Sequence, residues 1–351
     1  MTIAAEALSA VTDFELPPDN EATGPPERRG LERDGVRLLV ASPERIEHRR
    51  FRDLPDLLAP GDLVVVNTSA TLPAALEARR AGRPARVHVS SQLDVGSWLV
   101  EVRRHDGEGP DPTVARGDRL ALGGGVALRL SAPYPDPEAT RSRLWLATAS
   151  TPVSAAAFLH EQGEPIRYGH LAGRYPLADH QTVYATQPGS AEMASAGRPF
   201  TASLLVRLLA SGVTVAPVVL HAGVSSQELP ERPLPERFEV PAATARLAHS
   251  AREAGQRVIA VGTTVVRALE TAAAGGAIVR PSAGWTDLVL GPERQASVVT
   301  GLVTGLHAPG TSHLLLLEAV VGSALVGAAY AAALERGYLW HEFGDSTLFL
   351  P

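Results

Sequence analysis

Between Leu76 and Ala149 the chain changes its rhythm. On both sides of that stretch apolar runs of strand length alternate with helical periods. Inside it, Ala85–Ser90, Trp98–Arg103, Arg119–Leu122, Val126–Leu130 and Leu144–Ala149 follow one another as short alternating segments, separated by Gly, Pro and Asp clusters. That pattern predicts a small barrel or sandwich. Gly123-Gly-Gly125 falls between two of these segments without a strand–turn–helix context, so it reads as a hairpin turn rather than a dinucleotide loop.

The flanks predict strands at Val36–Ala41, Ile46–Phe51 and Leu63–Asn67, and a short helix at Phe51–Leu58. Beyond Pro152, helices are expected at Ser154–Glu161, Thr201–Ala210, Ala242–Ala254 and Thr264–Ala274. Strands are expected at Thr214–His221, Arg257–Val261, Leu288–Leu290, Val298–Val303 and Thr347–Leu350, with one long helix over Leu314–Leu334. Strand–helix alternation implies a mostly parallel sheet. The fold class is therefore α/β, one domain (1–75 and 152–351) interrupted by an inserted β-barrel (76–151), with 1–12 as a loose tail. A length of 351 residues accommodates both parts.

All 32 basic residues are arginine, and cysteine is absent. Schiff-base chemistry, a lysine base, a GK[ST] phosphate loop, thiolate nucleophiles and cysteine-ligated metals are excluded. The net charge of −6 argues against an indiscriminate grip on nucleic acid but allows a local arginine patch. Residues 1–12 lack a basic segment and apolar core, so no secretory signal is expected. Leu314–Leu334 is just long enough to span a bilayer, yet it carries Glu318 and adjoins Glu335 and Arg336, which favours a core helix. A soluble, cytoplasmic protein with no membrane partner is expected.

The sharpest local feature is Val258-Ile-Ala-Val-Gly-Thr-Thr-Val-Val-Arg-Ala-Leu-Glu270. An apolar strand ends in Gly262-Thr263-Thr264 and a helix begins at once, giving free N–H groups and hydroxyls to a carboxylate or phosphate. Arg267 and Glu270 follow on the helix; a capped helix with an ordinary Arg–Glu pair explains the same residues equally well. His221 and His307 each follow a strand, where open α/β sheets bind ligands, although a lone histidine there is usually structural. No HExxH or other short metal spacing occurs, so no metal is expected. Gly284-Trp285-Thr-Asp287 and Phe343-Gly-Asp345 place carboxylates in turn-like contexts, which serve either turn chemistry or a sulfonium, ribose or amine. Gln181-Thr-Val-Tyr-Ala185, followed by Gln187-Pro-Gly-Ser190, could stack adenine or hold ribose; packing is the other reading.

In this order, these segments resemble the S-adenosylmethionine:tRNA ribosyltransferase-isomerase family of the queuosine pathway. The resemblance rests on Asp13–Pro18, Ile46–Leu54, Pro60–Asn67, Gln181–Tyr184, Val258–Glu270, Gly284–Asp287 and Gly337–Asp345, and so covers nearly the whole chain. It implies a barrel-interrupted α/β fold and an enzyme that transfers and isomerises the ribosyl part of S-adenosylmethionine onto a 7-aminomethyl-7-deazaguanine in tRNA, releasing adenine and methionine. S-adenosylmethionine would be a substrate, with no metal and no redox cofactor. A general base is required, and His221, His307 and Asp345 are the catalytic candidates. Asn67, Gln181, Tyr184, Ala196, Gly197, Gly262, Thr263, Thr264, Arg267, Trp285 and Asp287 are the expected substrate-binding residues.

The chain departs from the family pattern at polar positions. An N-D-T-R segment appears as Asn67-Thr-Ser-Ala70, and a further arginine is replaced by Ala75. P-T-A-G-L-H-F-T becomes Ala194-Ser-Ala-Gly-Arg-Pro-Phe-Thr201, and H-V-G-x-G-T-F becomes His221-Ala-Gly-Val-Ser-Ser-Gln227. H-x-E keeps only Glu236, and N-F-H-x-P becomes Gly305-Leu-His-Ala-Pro309. These changes imply a diverged member, and the lost arginines with the acidic charge weigh against tRNA as partner. Two alternatives stand beside the family reaction: a small-molecule acceptor with altered chemistry, and a non-catalytic nucleoside-binding protein. The oligomeric state is left open, with a monomer favoured.

Overall fold

The structure, a computed structural model, describes residues 10–105, 109–140, 142–225 and 233–351. Along the chain run β1 (Arg37–Ala41), β2 (Ile46–Arg50), β3 (Leu63–Asn67), β4 (Ser69–Thr71), β5 (Ala75–Arg80), β6 (Arg83–Asp94), β7 (Ser97–Arg103), β8 (Arg119–Leu122), β9 (Ala127–Tyr134) and β10 (Leu144–Ala149). There follow α1 (Ala155–Gln162), β11 (Gln187–Ser190), α2 (Ala202–Ala210), β12 (Thr214–Leu220), β13 (Glu236–Val240), α3 (Ala242–Glu253), β14 (Val258–Val261), α4 (Thr263–Ala272), β15 (Ser282–Thr286), β16 (Gly301–Gly305), α5 (Ser312–Val321), α6 (Ser323–Glu335) and β17 (Ser346–Phe349).

The chain divides into two compact units. The first comprises Met1–Thr68, Ala194–Leu220 and Leu229–Pro351. Its nine-stranded sheet has the order β15-β13-β12-β3-β14-β16-β17-β1-β2. The sheet is mixed: β12, β3, β14 and β16 run parallel at its centre, and antiparallel pairs occur at β16–β17 and towards both edges. Leu63–Val66 and Val258–Val261 are buried throughout, as a central strand covered on both faces requires. Thr201 caps α2 by accepting the Leu204 N–H at 3.1 Å.

The second unit comprises Ser69–Met193 and His221–Glu228. Strands β10-β7-β6-β5-β8-β9 close into a barrel, which removes the exposed sheet edges that short strands otherwise leave. Gly123–Gly125 forms a tight turn between β8 and β9, as expected. The barrel begins at Ala75, and the unit extends beyond the expected 76–151 because α1 and the chain around Ser190 and Val224 pack on the barrel core.

Three expectations are corrected. The apolar run 314–334 is not one helix: α5 and α6 meet at Gly322, whose φ of +85° no α-helix can continue through, and their axes bend by 119°. No single helix among the described residues is long and apolar enough to cross a membrane. Leu288–Leu290 forms no strand; Ser282–Thr286 does instead, so Gly284-Trp-Thr lies on edge strand β15 rather than in a turn. Of the expected tail 1–12, residues 1–9 lie outside the described residues. Its end is tied down, because Glu318 accepts the backbone N–H groups of Val11 and Thr12 at 3.1 and 2.7 Å.

Candidate functional site

Parallel strands β3, β14 and β16 bring their carboxyl ends to one edge of the sheet, where such sheets bind ligands. β3 ends in buried Asn67, whose side chain behaves as an additional peptide group. Its Oδ1 accepts the Leu220 N–H at 3.0 Å, and its Nδ2 donates to Leu220 O at 2.8 Å and to Thr264 Oγ1 at 3.2 Å. β14 runs into Gly262, held at φ +92° and ψ 157°, and α4 begins at Thr263. That backbone conformation favours glycine. It lets the Gly262 N–H donate to Val303 O at 2.8 Å while the Gly262 carbonyl accepts from Val265 at 3.2 Å. Among the described residues, the N–H groups of Thr263 and Thr264 donate to nothing, which leaves the positive end of α4 available to an anion. The Ser195–Gly197 turn comes close, since a Cβ on Gly262 would lie 3.4 Å from Ala196 Cβ. The expected residues Asn67, Ala196, Gly197, Gly262, Thr263 and Thr264 thus share one edge of the sheet.

His307 follows β16 at the same edge. Its N–H donates to Tyr330 Oη at 3.1 Å and its carbonyl accepts from Trp340 Nε1 at 3.0 Å, which fixes the backbone. Its Nε2 lies 2.9 Å from Thr304 Oγ1. Burial, then the neighbouring His313 and His341, push the His307 imidazole well below its ordinary pKa. His313, at the start of α5, is pushed down to about 4 by burial and then by Arg267. Both rings are therefore neutral at physiological pH.

Asp345 immediately precedes β17, and its carboxylate is engaged. It accepts the backbone N–H of Arg37 at 2.8 Å and of Leu339 at 2.9 Å, and the Arg37 Nε at 2.9 Å. This ties β1 to β17 and leaves little lone-pair capacity for proton abstraction. Asp345 also walls a cleft with Ser195, Gly305, Phe343 and Arg198. Arg198 is 2% exposed, bridges both carboxylate oxygens of Glu27 at 2.9 and 3.1 Å, and lies 5.1 Å from the Phe343 ring centroid.

Arg267 does not pair with Glu270. Its guanidinium is buried and donates to the carbonyls of Leu288 (3.1 Å), Leu234 (3.0 Å) and Thr286 (3.1 Å), and it pairs with Glu236. Glu270 instead accepts the N–H groups of Ser297, Val298 and Val299 at 2.9 to 3.0 Å. The two charges diverge because each fixes a different loop, so Arg267 acts as a clamp on β15. Trp285, 45% exposed, and Asp287, also exposed, project from that clamped segment.

In the barrel unit, His221 Nδ1 lies 2.7 Å from Ser69 Oγ, which in turn lies 2.7 Å from Ser190 Oγ. Gln181 pairs through its amide with the Thr71 backbone, accepting at 3.0 Å and donating at 2.8 Å, and so extends β4. Burial raises the Tyr184 hydroxyl pKa. Glu101, buried in the barrel wall, is held down to about 2: its burial alone would raise it, but His88, Arg103 and Arg143 together outweigh that. Of the segment His221–Gln227, residues 226 and 227 lie outside the described residues.

Sequence reasoning missed His313, Ser69 and Arg198, and read Ser190 only as one hydroxyl of a nucleoside-binding segment. His313 stands at the start of a leucine run, and Ser69 and Ser190 come together only once β4 and β11 pair. Arg198 had a signal: an arginine where the family motif has leucine.

A family model described as queuosine biosynthesis protein matches residues 10–349. The S-adenosylmethionine:tRNA ribosyltransferase-isomerase of Synechococcus elongatus is 35% identical, covering 97% of this chain and 95% of that protein. The enzyme of the same name from Moorella thermoacetica is 34% identical over 96% of this chain and 98% of its own length. The crystal structure of S-adenosylmethionine tRNA ribosyltransferase from Thermotoga maritima matches with a TM-score of 0.53 and 31% identity, covering 97% of this chain and 99% of that one. With a family model and relatives matching it over nearly its full length, the chain belongs to the queuosine biosynthesis protein family.

Proposed function

We propose that this protein is an S-adenosylmethionine-dependent transferase that moves and isomerises the ribosyl moiety onto a 7-aminomethyl-7-deazaguanine in tRNA, with release of adenine and methionine. The observation that carries the reading is the N-terminus of α4, where Gly262 leaves the N–H groups of Thr263 and Thr264 to receive a methionine carboxylate. In this reading His307 is the base. It is neutral, and Thr304 Oγ1 has no second partner among the described residues, so it can accept Nε2–H and leave Nδ1 as acceptor. Asp345 and Arg267 hold the frame around the site.

An arginine strip on the barrel supports an RNA acceptor. Arg119 of β8 stands directly opposite Arg129 of β9, and Arg79 of β5 pairs with Ala121, the next outward position from Arg119. All three are exposed, and none forms an ion pair with a described carboxylate. Like charges directly opposite one another are unfavourable unless an anion joins them, and a phosphate backbone supplies that anion. With tRNA as acceptor, the reaction takes place in the cytoplasm.

The test is mass spectrometry of products from S-adenosylmethionine with and without acceptor-bearing tRNA. Adenine, methionine and a ribosyl-modified base only with tRNA are expected. Turnover without RNA moves the reading to a small-molecule acceptor, and binding without turnover moves it to a non-catalytic nucleoside-binding protein.

A further inference from the structure

His307 is held by its backbone, by one edge of its ring and by one face. The backbone is fixed through Tyr330 Oη and Trp340 Nε1, and Nε2 lies 2.9 Å from Thr304 Oγ1. The face is covered by His313, with ring centroids 4.5 Å apart and planes 7° from parallel. Rings stacked in this way carry their N–H groups and lone pairs in parallel planes, so neither nitrogen of His313 hydrogen-bonds to His307.

Among the described residues His313 makes no other hydrogen bond, and in α5 it is followed by Leu314-Leu-Leu-Leu317, all buried. Packing alone does not account for an imidazole there, because an apolar side chain would fill the space with no polar group to desolvate. What the imidazole adds is a flat face the size of its neighbour's. The surroundings also keep that face uncharged. His313 stands in the first turn of α5, whose positive end opposes a cation, and Arg267 of α4 opposes it further. Arg267 pairs with Glu236; His341, the second titratable group acting on His307, pairs with Glu21 at 3.0 Å.

We propose that His313 is a positioning residue whose flat ring holds the His307 imidazole in one orientation, with Nδ1 left to receive a substrate proton. Its part in the reaction rests on the function proposed above, in which His307 is the base; the hold on the ring does not.

The experiment uses full-length protein labelled with nitrogen-15 histidine, with the His307 signals assigned by their loss in His307→Gln. His313→Gln removes the ring face and stays neutral, whereas His313→Phe keeps a flat ring. In the wild type His307 is expected to titrate well below the ordinary histidine value of about 6.5. In His313→Gln its titration moves up towards that value, and in His313→Phe it stays low. An unmoved titration in His313→Gln, or one raised as far in His313→Phe, overturns the inference. If His313→Gln does not fold, a raised titration in His313→Phe still overturns it and a low one upholds it. With S-adenosylmethionine and acceptor tRNA, His313→Gln lowers kcat by about 10- to 100-fold with KM little changed, and moves the acid limb of kcat to higher pH. His313→Phe restores both. A shifted titration with unaltered kcat overturns the role in the reaction. If the wild type turns over no substrate, the proposed reaction fails, while the nitrogen titration still decides the hold on the ring.

Discussion

The imidazole rings of His307 and His313 stack with centroids 4.5 Å apart and planes 7° from parallel. A stacked pair of this kind tolerates two neutral rings and resists two cations; burial lowers both pKa values first, with His313 and His341 adding to the shift of His307 and Arg267 to that of His313.

That relationship makes stability pH-dependent in a defined direction. In the unfolded chain both histidines bind protons near their ordinary pKa of about 6.5. In the folded chain His313 does so only at about 4, and His307 well below its ordinary value. Between those limits the unfolded state holds more protons, so stability falls as pH falls through this window and is fully present above it. Each group contributes at most about 1.4 kcal/mol per pH unit. Thermal unfolding followed from neutral pH down to the acid end of the window measures the slope, and His313→Gln should flatten it. An identical slope in the variant would remove His313 as its source.

Arg267 is expected to matter for stability first and ligand second. Its guanidinium spans three carbonyls and the Glu236 carboxylate, a fork that lysine cannot reproduce. Arg267→Met removes the buried cation that Glu236 and the three carbonyls share and should cost about 3–5 kcal/mol in denaturant unfolding. A variant of native stability that fails to bind S-adenosylmethionine would reassign Arg267 to the ligand.

The sequence makes the sheet centre legible and the contacts around it much less so. Leu63–Val66 and Val258–Val261 are apolar throughout because both sheet faces are covered, and that signal survives without any alignment. Gly262-Thr263-Thr264 is readable because strand, glycine and helix are contiguous. Ser282–Thr286 is not: an edge strand containing glycine and serine lacks the β-branched alternation of an interior one. The Gly322 break hides inside an apolar run, since one glycine in a helical pattern is ordinarily tolerated. The destinations of Arg267 and Glu270 depend on loops distant in sequence, which spacing along one helix does not encode.

At Gly262 the backbone requirement can be separated from the chemistry. Its φ of +92° with ψ 157° suits glycine, and an added Cβ would meet Ala196 Cβ at 3.4 Å. Gly262→Ala should cost about 1–3 kcal/mol of stability and shift the first N–H groups of α4. The S-adenosylmethionine-induced rise in Tm should shrink or vanish, whereas Thr263→Ser should retain it. A full ligand-induced shift in Gly262→Ala would place the carboxylate elsewhere.

The arginine strip yields the most selective test of the RNA partner. Replacing Arg79, Arg119 and Arg129 together by glutamine removes three outward charges and no described ion pair, so the barrel should unfold at nearly the wild-type temperature. If the strip neutralises tRNA phosphates, affinity should fall for any tRNA sequence. The slope of log affinity against log salt should flatten by about 2 to 3, roughly one unit of slope per phosphate released. Binding of S-adenosylmethionine, read by thermal shift, should not change, because the arginines stand on the barrel wall while Gly262 and His307 belong to the α/β sheet. An unchanged salt slope would mean that tRNA, if bound, lies on another face, and that the opposed Arg119 and Arg129 are simply solvated.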